Sequence, residues 1–250
     1  MIALLAGLLW VALGPAGEAP SYPVDLRVTA TTAGVRLRLT VKDTRPASRG
    51  IVRAFTVVHD RPMDLFVVGA DLAFFAHEHP VQQPDGVFIV DVALPKPGPY
   101  MAIAAFLPEG GTPQTFQQMF TTGEAFAAPV MPAIDTAPKT IDGVRVSVDV
   151  SQAVAGAARP LMFRLDDVST GTAQPFLGTS AQFVLVPSDL TEAFHGYAAD
   201  EARDGGLTFT PLVPRPGRYK VWIQFERGGR VTTASFVFES LIPYPSSSNR

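Results

Sequence analysis

The chain repeats itself at long range, and the repeat narrows the folds open to it. Residues 59–80 read HDRPMDLFVVGADLAFFAHEHP and residues 181–197 read AQFVLVPSDLTEAFHGY. Met63–Val68 falls on Ala181–Val186, Asp71-Leu72 on Asp189-Leu190 and His77 on His195, all at an offset of 118 residues. One residue out of that register, Pro97-Gly98-Pro99-Tyr100 opens a segment ending at Phe106, and Pro216-Gly217-Arg218-Tyr219 opens one ending at Phe225. Each is followed by a Gly-Gly pair, Gly110-Gly111 and Gly228-Gly229. Val35–Val41 precedes the first copy as Val144–Val150 precedes the second. Stacked-repeat proteins have periods of roughly 20–50 residues, so an echo this long means two whole domains.

Each copy reads at strand period. Val35–Val41 (VRLRLTV) and Val144–Val150 (VRVSVDV) alternate apolar with polar, and Ala54–Val58, Leu65–Val68, Val87–Val92, Tyr100–Phe106, Phe183–Val186, Tyr219–Phe225 and Ser235–Phe238 have strand length. Gly, Pro or Asp bounds most of them, and no long amphipathic helical pattern interrupts the series. The expectation is all-β: two tandem β-sandwiches at residues 22–122 and 140–240, joined by an Ala/Pro-rich linker at 123–139 and followed by a tail at 241–250. Phe126, Val130, Met131 and Ile134 predict that the linker packs against a neighbour. Residues 2–13 (IALLAGLLWVAL) are too short to span a bilayer comfortably, and small residues follow. Residues 1–19 therefore read as an export signal helix, and the protein as periplasmic or secreted in a bacterium; no Lys or Arg precedes the apolar run, so a partly buried or membrane-retained N-terminal helix is the alternative.

Hydrophobic residues make up 47% of the chain and charged residues 17%, which supports packed cores. A net charge of −3 with no basic block argues against nucleic acid, and no membrane contact is expected beyond the signal. The chain has no cysteine, which removes disulfides, zinc-thiolate sites and blue-copper chemistry. No catalytic motif is recognisable, and the protein reads as a non-enzyme.

The chemistry concentrates in the first copy, which holds His59, His77 and His79 of the chain's four histidines. His77 and His79 share one face of a strand, where two imidazoles can hold one ion. A turn at Asp60-Arg61-Pro62 would bring Asp64 back towards His59, and Met63 is an accessory thioether candidate. Imidazole with carboxylate suits copper or zinc, whereas magnesium or calcium needs more oxygen ligands. Two other readings stand beside this one. The same residues can be hydrogen-bonding groups at one end of a sandwich, with Met63 in the core. They can also tune a partner-binding surface with pH. The second copy keeps His195, with Gln182 and Tyr197 in the other places, and reads as a degenerate site.

The HDRPMDLFVV…DLAFFAHEHP segment, the Pro-Gly-x-Tyr strand and Tyr219–Phe225 (YKVWIQF) resemble a family of exported bacterial β-sandwich proteins often found in heavy-metal-handling contexts. Its repeat has the form HDxPMHLxVVxxDLxxFxHxHP. The resemblance implies immunoglobulin- or cupredoxin-like sandwiches and a metal role, with Asp64 standing where the family has histidine. It makes His59, Asp64, His77 and His79 the ligand set, and sequestration or transfer of copper or zinc to a metal-transport or envelope partner the function. The alternative is a non-catalytic structural or interaction module of the envelope that has lost metal binding.

Overall fold

The computed structural model describes residues 22–44, 50–123, 131–167, 179–198, 206–227 and 229–242. The expected export signal and the end of the tail lie outside them, as do Phe126 and Val130. Among the described residues there is no α-helix, and no helix is long and apolar enough to cross a membrane. The chain forms two compact units. The first runs to Ala133 and includes Val186–Ala193; the second takes Ile134–Leu185 and Phe194 onward.

The first unit contains β1 (Val24–Ala30), β2 (Gly34–Asp43), β3 (Gly50–Ile51), β4 (Met63–Gly69), β5 (Phe75–Glu78), β6 (Val81–Gln82), β7 (Phe88–Ala93), β8 (Gly98–Phe106) and β9 (Gln114–Thr122). One sheet has the order β1-β2-β7-β6 with β3 on β2, and the other β5-β4-β8-β9. Strict alternation drives them together. Val35, Leu37, Leu39 and Val41 of β2 meet Met63, Leu65 and Val67 of β4 and Tyr100, Ala102 and Ala104 of β8 in one core. Burying side chains of this kind contributes about 1.5–3 kcal/mol each. The crossovers match the two sheets of an immunoglobulin-type sandwich. A tyrosine corner supports that match: the Tyr100 hydroxyl, at the start of β8, donates to the Lys96 carbonyl at 2.6 Å.

The second unit contains β10 (Lys139–Ile141), β11 (Val144–Asp149), β12 (Ala157–Ala158), β13 (Leu161–Asp167), β14 (Gln182–Pro187), β15 (Phe194–Tyr197), β16 (Gly206–Phe209), β17 (Leu212–Val213), β18 (Gly217–Arg227) and β19 (Arg230–Ser240). Its main sheets are β10-β11-β13-β16 and β15-β14-β18-β19, and β12 pairs with β17. It has its own core, including Phe163, Phe209, Val221, Ile223 and Phe236. Its tyrosine corner joins the Tyr219 hydroxyl to the Arg215 carbonyl at 2.9 Å. The architecture is two tandem immunoglobulin-like β-sandwiches.

Three expectations change. Val144–Val150 is not the counterpart of Val35–Val41. In the first unit β2 lies between β1 and β7; in the second that place belongs to β13, between β11 and β16. Alternation marks a strand but does not name its partner, and by position in the sheet β11 corresponds to β1 and β13 to β2. Ala54–Val58 forms no continuous strand and is fixed by isolated bridges, Phe55 to Pro108 and Val58 to Arg61. Finally, Met131 and Ile134 are exposed rather than packed. The described end of the linker is held by backbone instead, through reciprocal hydrogen bonds between Asp135 and Val237 at 2.8 and 2.9 Å.

Candidate metal centre

The site begins with the two faces of β4. Met63, Leu65 and Val67 enter the core, so Asp64, Phe66 and Val68 take the opposite face. β5 returns antiparallel, pairing Leu65 with Glu78 and Phe66 with His77. Carried one step further, this register sets His79 beside Asp64.

The turn between the strands fixes that register. The Leu72 N–H donates to the Gly69 carbonyl at 2.7 Å, the Ala73 N–H to Asp71 Oδ1 at 2.9 Å, and Leu72 takes a positive φ of 56°. Lys96 Nζ meets Asp71 Oδ2 at 2.6 Å. Burial acts to raise the Asp71 pKa; the Lys96 hydrogen bond, the Ala73 N–H and the Lys96 charge outweigh it and hold the carboxyl below its ordinary value. The second sequence repeat builds the same turn. The Leu190 N–H donates to the Pro187 carbonyl at 3.0 Å, the Thr191 N–H to Asp189 Oδ1 at 3.1 Å, and Leu190 has φ 55°. The repeated Asp-Leu pair is thus a turn device that aims the following strand.

Three side chains converge. His77 Nε2 lies 3.4 Å and His79 Nδ1 lies 3.3 Å from Asp64 Oδ1. One ligand atom from each of the three residues lies within 4.8 Å of the others. The His77 ring stacks on Phe66 with centroids 4.4 Å apart and meets His79 edge-on at 4.6 Å. Asp64 and His77 side chains are only 5% and 3% exposed, while His79 is 28% exposed.

Two observations bear on what the cluster can hold. An ion bound at about 2.0–2.2 Å sets tetrahedral donors roughly 3.3–3.6 Å apart, which brackets the two distances to Asp64; the His77–Asp64 contact is also within hydrogen-bond reach at 3.4 Å, longer than the usual N–H···O separation of about 2.9–3.0 Å. Moreover, His79 Nδ1 is buried and makes no hydrogen bond among the described residues. A buried donor or acceptor left in that state costs about 1–3 kcal/mol, which a metal bond would offset. The residues present therefore fit a divalent transition ion.

The other expected ligands fall elsewhere. His59 is not part of the converging group. It sits with Asp60 in a two-residue turn, at φ 48° and 66°, closed by Val58 N–H to Arg61 O at 2.9 Å and Arg61 N–H to Val58 O at 3.1 Å. Positive φ at both central positions marks a type I′ turn, so the chain reverses at His59-Asp60 rather than at Asp60-Arg61-Pro62. Met63 is buried in the core, on the face of β4 opposite Asp64. One residue's separation along a strand rules it out as a ligand partner of Asp64.

The degenerate site keeps the shape and changes the chemistry. His195 and Tyr197 rings meet edge-on at 4.7 Å, as His77 and His79 do. His195 Nε2 lies 3.2 Å from Gln182 Oε1, Gln182 Nε2 donates to Gln224 Oε1 at 3.2 Å, and Gln224 Nε2 donates to Thr233 Oγ1 at 2.9 Å. The result is a chain of one imidazole, two amides and a hydroxyl where the first repeat has a carboxylate and two imidazoles. Sequence reasoning missed Gln224, although the aligned Pro-Gly-x-Tyr strands set it against Ala105. It also missed why Gly196 separates His195 from Tyr197. A Cβ on Gly196 would meet the Phe183 ring at 2.4 Å, whereas the first unit pairs Leu65 with Glu78 there.

Fold and site together define a tandem immunoglobulin-like sandwich protein with a two-histidine, one-aspartate cluster in its first unit. Residues 139–240 match the family model described as Domain of unknown function (DUF8832). No curated protein matches the chain. Among solved structures, FetP of uropathogenic E. coli strain F11 is 16% identical over 44% of this chain and 95% of its own, with a TM-score of 0.32. A copper-bound variant of FetP is 14% identical over 47% and 97%, with a TM-score of 0.34. A two-domain fibronectin type III segment of chicken tenascin is 16% identical over 88% and 99%, with a TM-score of 0.24.

Proposed function

We propose that the first unit binds one copper or zinc ion through Asp64, His77 and His79, and that the protein sequesters the ion or passes it to a metal-transport or envelope partner outside the cytoplasm. The observation that carries this reading is the convergence of the three donors, with the buried Nδ1 of His79 set 3.3 Å from Asp64 Oδ1 and in no hydrogen bond among the described residues. Two imidazoles and a carboxylate form a borderline donor set suited to either ion. When bound, the ion would neutralise the buried carboxylate and tie β4 to the end of β5. Asp64, held nearly sealed beside His77, serves as the fixed anchor; His79, the more exposed partner, faces the route of entry and exit. No acid–base pair or nucleophile is assigned to the site, and the role proposed is carriage rather than catalysis.

Titration calorimetry of the protein from residue 20 onward tests this. About one equivalent of Cu(II) or Zn(II) is expected, lost in a His77→Ala/His79→Ala double variant. Affinity should also fall on acidification, because imidazoles bind metals as free bases. Absence of saturable binding of either ion, or unchanged binding by the double variant, would contradict the proposal.

A further inference from the structure

The outward N–H and C=O groups of a sheet's last strand are a template for a further strand, and the two units treat the corresponding edge differently. In the second, β19 ends its sheet, and the chain around the start of β10 closes its far side: Asp135 and Val237 exchange backbone hydrogen bonds, and Lys139 Nζ donates to the Ser235 carbonyl. In the first, β9 holds that place. Met119 pairs with Met101 as Val237 pairs with Lys220, each opposite the residue that follows the corner tyrosine. Among the described residues β9 pairs with β8 and no other strand.

β9 carries none of the usual devices that keep an edge from pairing. Its sequence, QTFQQMFTT, contains no charged residue and no proline. Its register with β8 is unbroken from Gly98–Thr122 to Phe106–Gln114, so no bulge turns the edge away. Thr115, Gln118, Met119 and Thr121 are exposed. Gln117, on the face opposite the core, is held through its side chain by the Thr191 carbonyl at 2.8 Å. The strand's own sequence names its partner. Read outward from Gln118 it is close to a palindrome: Gln117 and Met119, then Phe116 and Phe120, then Thr115 and Thr121. Two copies laid antiparallel about a twofold axis at Gln118 pair in that order. Phe116 and Phe120 both pack on the first core, so the pairing sets phenylalanine beside phenylalanine on the core side and threonine beside threonine on the other, with no like charges opposed. The odd-numbered positions, which include the counterpart of Val237, would exchange about eight backbone hydrogen bonds.

We propose that β9 is a self-pairing edge through which two copies of the chain associate, as an antiparallel, twofold-symmetric dimer centred on Gln118 that joins two first-unit sheets into one. The proposal stands independently of the metal reading.

The test uses the protein from residue 20 onward, in chelator so that no shared ion bridges two copies. Sedimentation velocity of wild type should show a monomer–dimer equilibrium with a dissociation constant of about 1–100 μM, the range of a small interface. Gln118→Lys and Gln118→Glu should each weaken it at least threefold, because like charges then meet at the axis, and an equimolar mixture of the two should recover the dimer. The chain has no cysteine, so Gln118→Cys supplies a single thiol. It should oxidise in air to a covalent dimer, since directly opposed residues lie about 4.5–5.5 Å apart between Cα atoms. Thr115→Cys sets its two thiols about 20 Å apart across the same axis and should crosslink at least tenfold more slowly. Wild type that stays monomeric across that concentration range, charge variants that associate as wild type does, a mixture no better than either variant alone, or equal crosslinking at 115 and 118 overturns the proposal.

Discussion

Gly196 of the second unit is where the repeat has traded a side chain for a ring, and Gly196→Ala reads that trade directly. The added Cβ would lie 2.4 Å from Phe183 Cε1 and 2.8 Å from its Cζ, so ring or strand must shift by about 1 Å to reach ordinary contact. Phe183 has little freedom to move: it is buried in the second core and packs against Phe209 with ring centroids 4.3 Å apart. Overpacking of this kind costs about 1–3 kcal/mol, while replacing a mid-strand glycine returns roughly 0.5–1 kcal/mol. The difference is a net loss centred on about 1 kcal/mol and no larger than about 2.5 kcal/mol. Phe183→Leu, which recreates the residue found at Leu65, should remove the clash, so the double variant should be more stable than the sum of the single effects predicts by about 1 kcal/mol or more. The chain's two tryptophans are Trp10 and Trp222. In protein starting at residue 20, fluorescence during urea unfolding therefore reports the second unit alone, through buried Trp222. A neutral or stabilising Gly196→Ala, or additivity within about 0.5 kcal/mol, would refute the reasoning.

Three further outcomes follow from the same geometry. Asp60→Gly should stabilise the first unit by about 0.5–1 kcal/mol, because a non-glycine residue at φ 66° is strained, and denaturant midpoints will show it. Asp71 titrates below its ordinary value of 3.8 in the folded state, so its stabilising effect is present above that value and lost as pH falls through the folded pKa. Acid unfolding of the first unit should accordingly be shallower in Asp71→Asn, and an unchanged acid limb would count against the Lys96 pairing. Gln182→Asp/Gln224→Ala/Tyr197→His, which gives the second unit the side chains of the first, should raise the metal stoichiometry from one towards two, as read by elemental analysis after gel filtration. A stoichiometry that stays at one would show that ring geometry and donor identity do not suffice.

Much of this was legible from residues alone because strands leave a period-2 trace and duplicated turns leave an echo. His77 and His79 were predicted on one face, and the register of β4 and β5 sets their rings beside Asp64. What sequence hid was phase and partner. Met63 and Asp64 are adjacent in the chain and both have side chains that can bind a metal, but a strand sends neighbours to opposite faces, and here Met63 lies in the core. His59 was aimed at the site through a turn one residue later than the real one; two successive positive φ values without glycine leave little compositional trace. Val144–Val150 alternates as well as Val35–Val41 does, yet its pairing makes it the counterpart of β1. Gln224 leaves little trace in the sequence, because a glutamine in a strand reads as a solvent-facing residue until its amide is placed between Gln182 and Thr233.

The most direct test of the central claim is a crystal structure of the metal-loaded protein with anomalous data collected at the copper and zinc edges. The account predicts one strong peak in the first unit, about 2.0–2.2 Å from Asp64 Oδ1, His77 Nε2 and His79 Nδ1, and none at Gln182 and His195. A peak held instead through His59 or Met63, or no peak at either edge from crystals soaked at saturating metal, would contradict it.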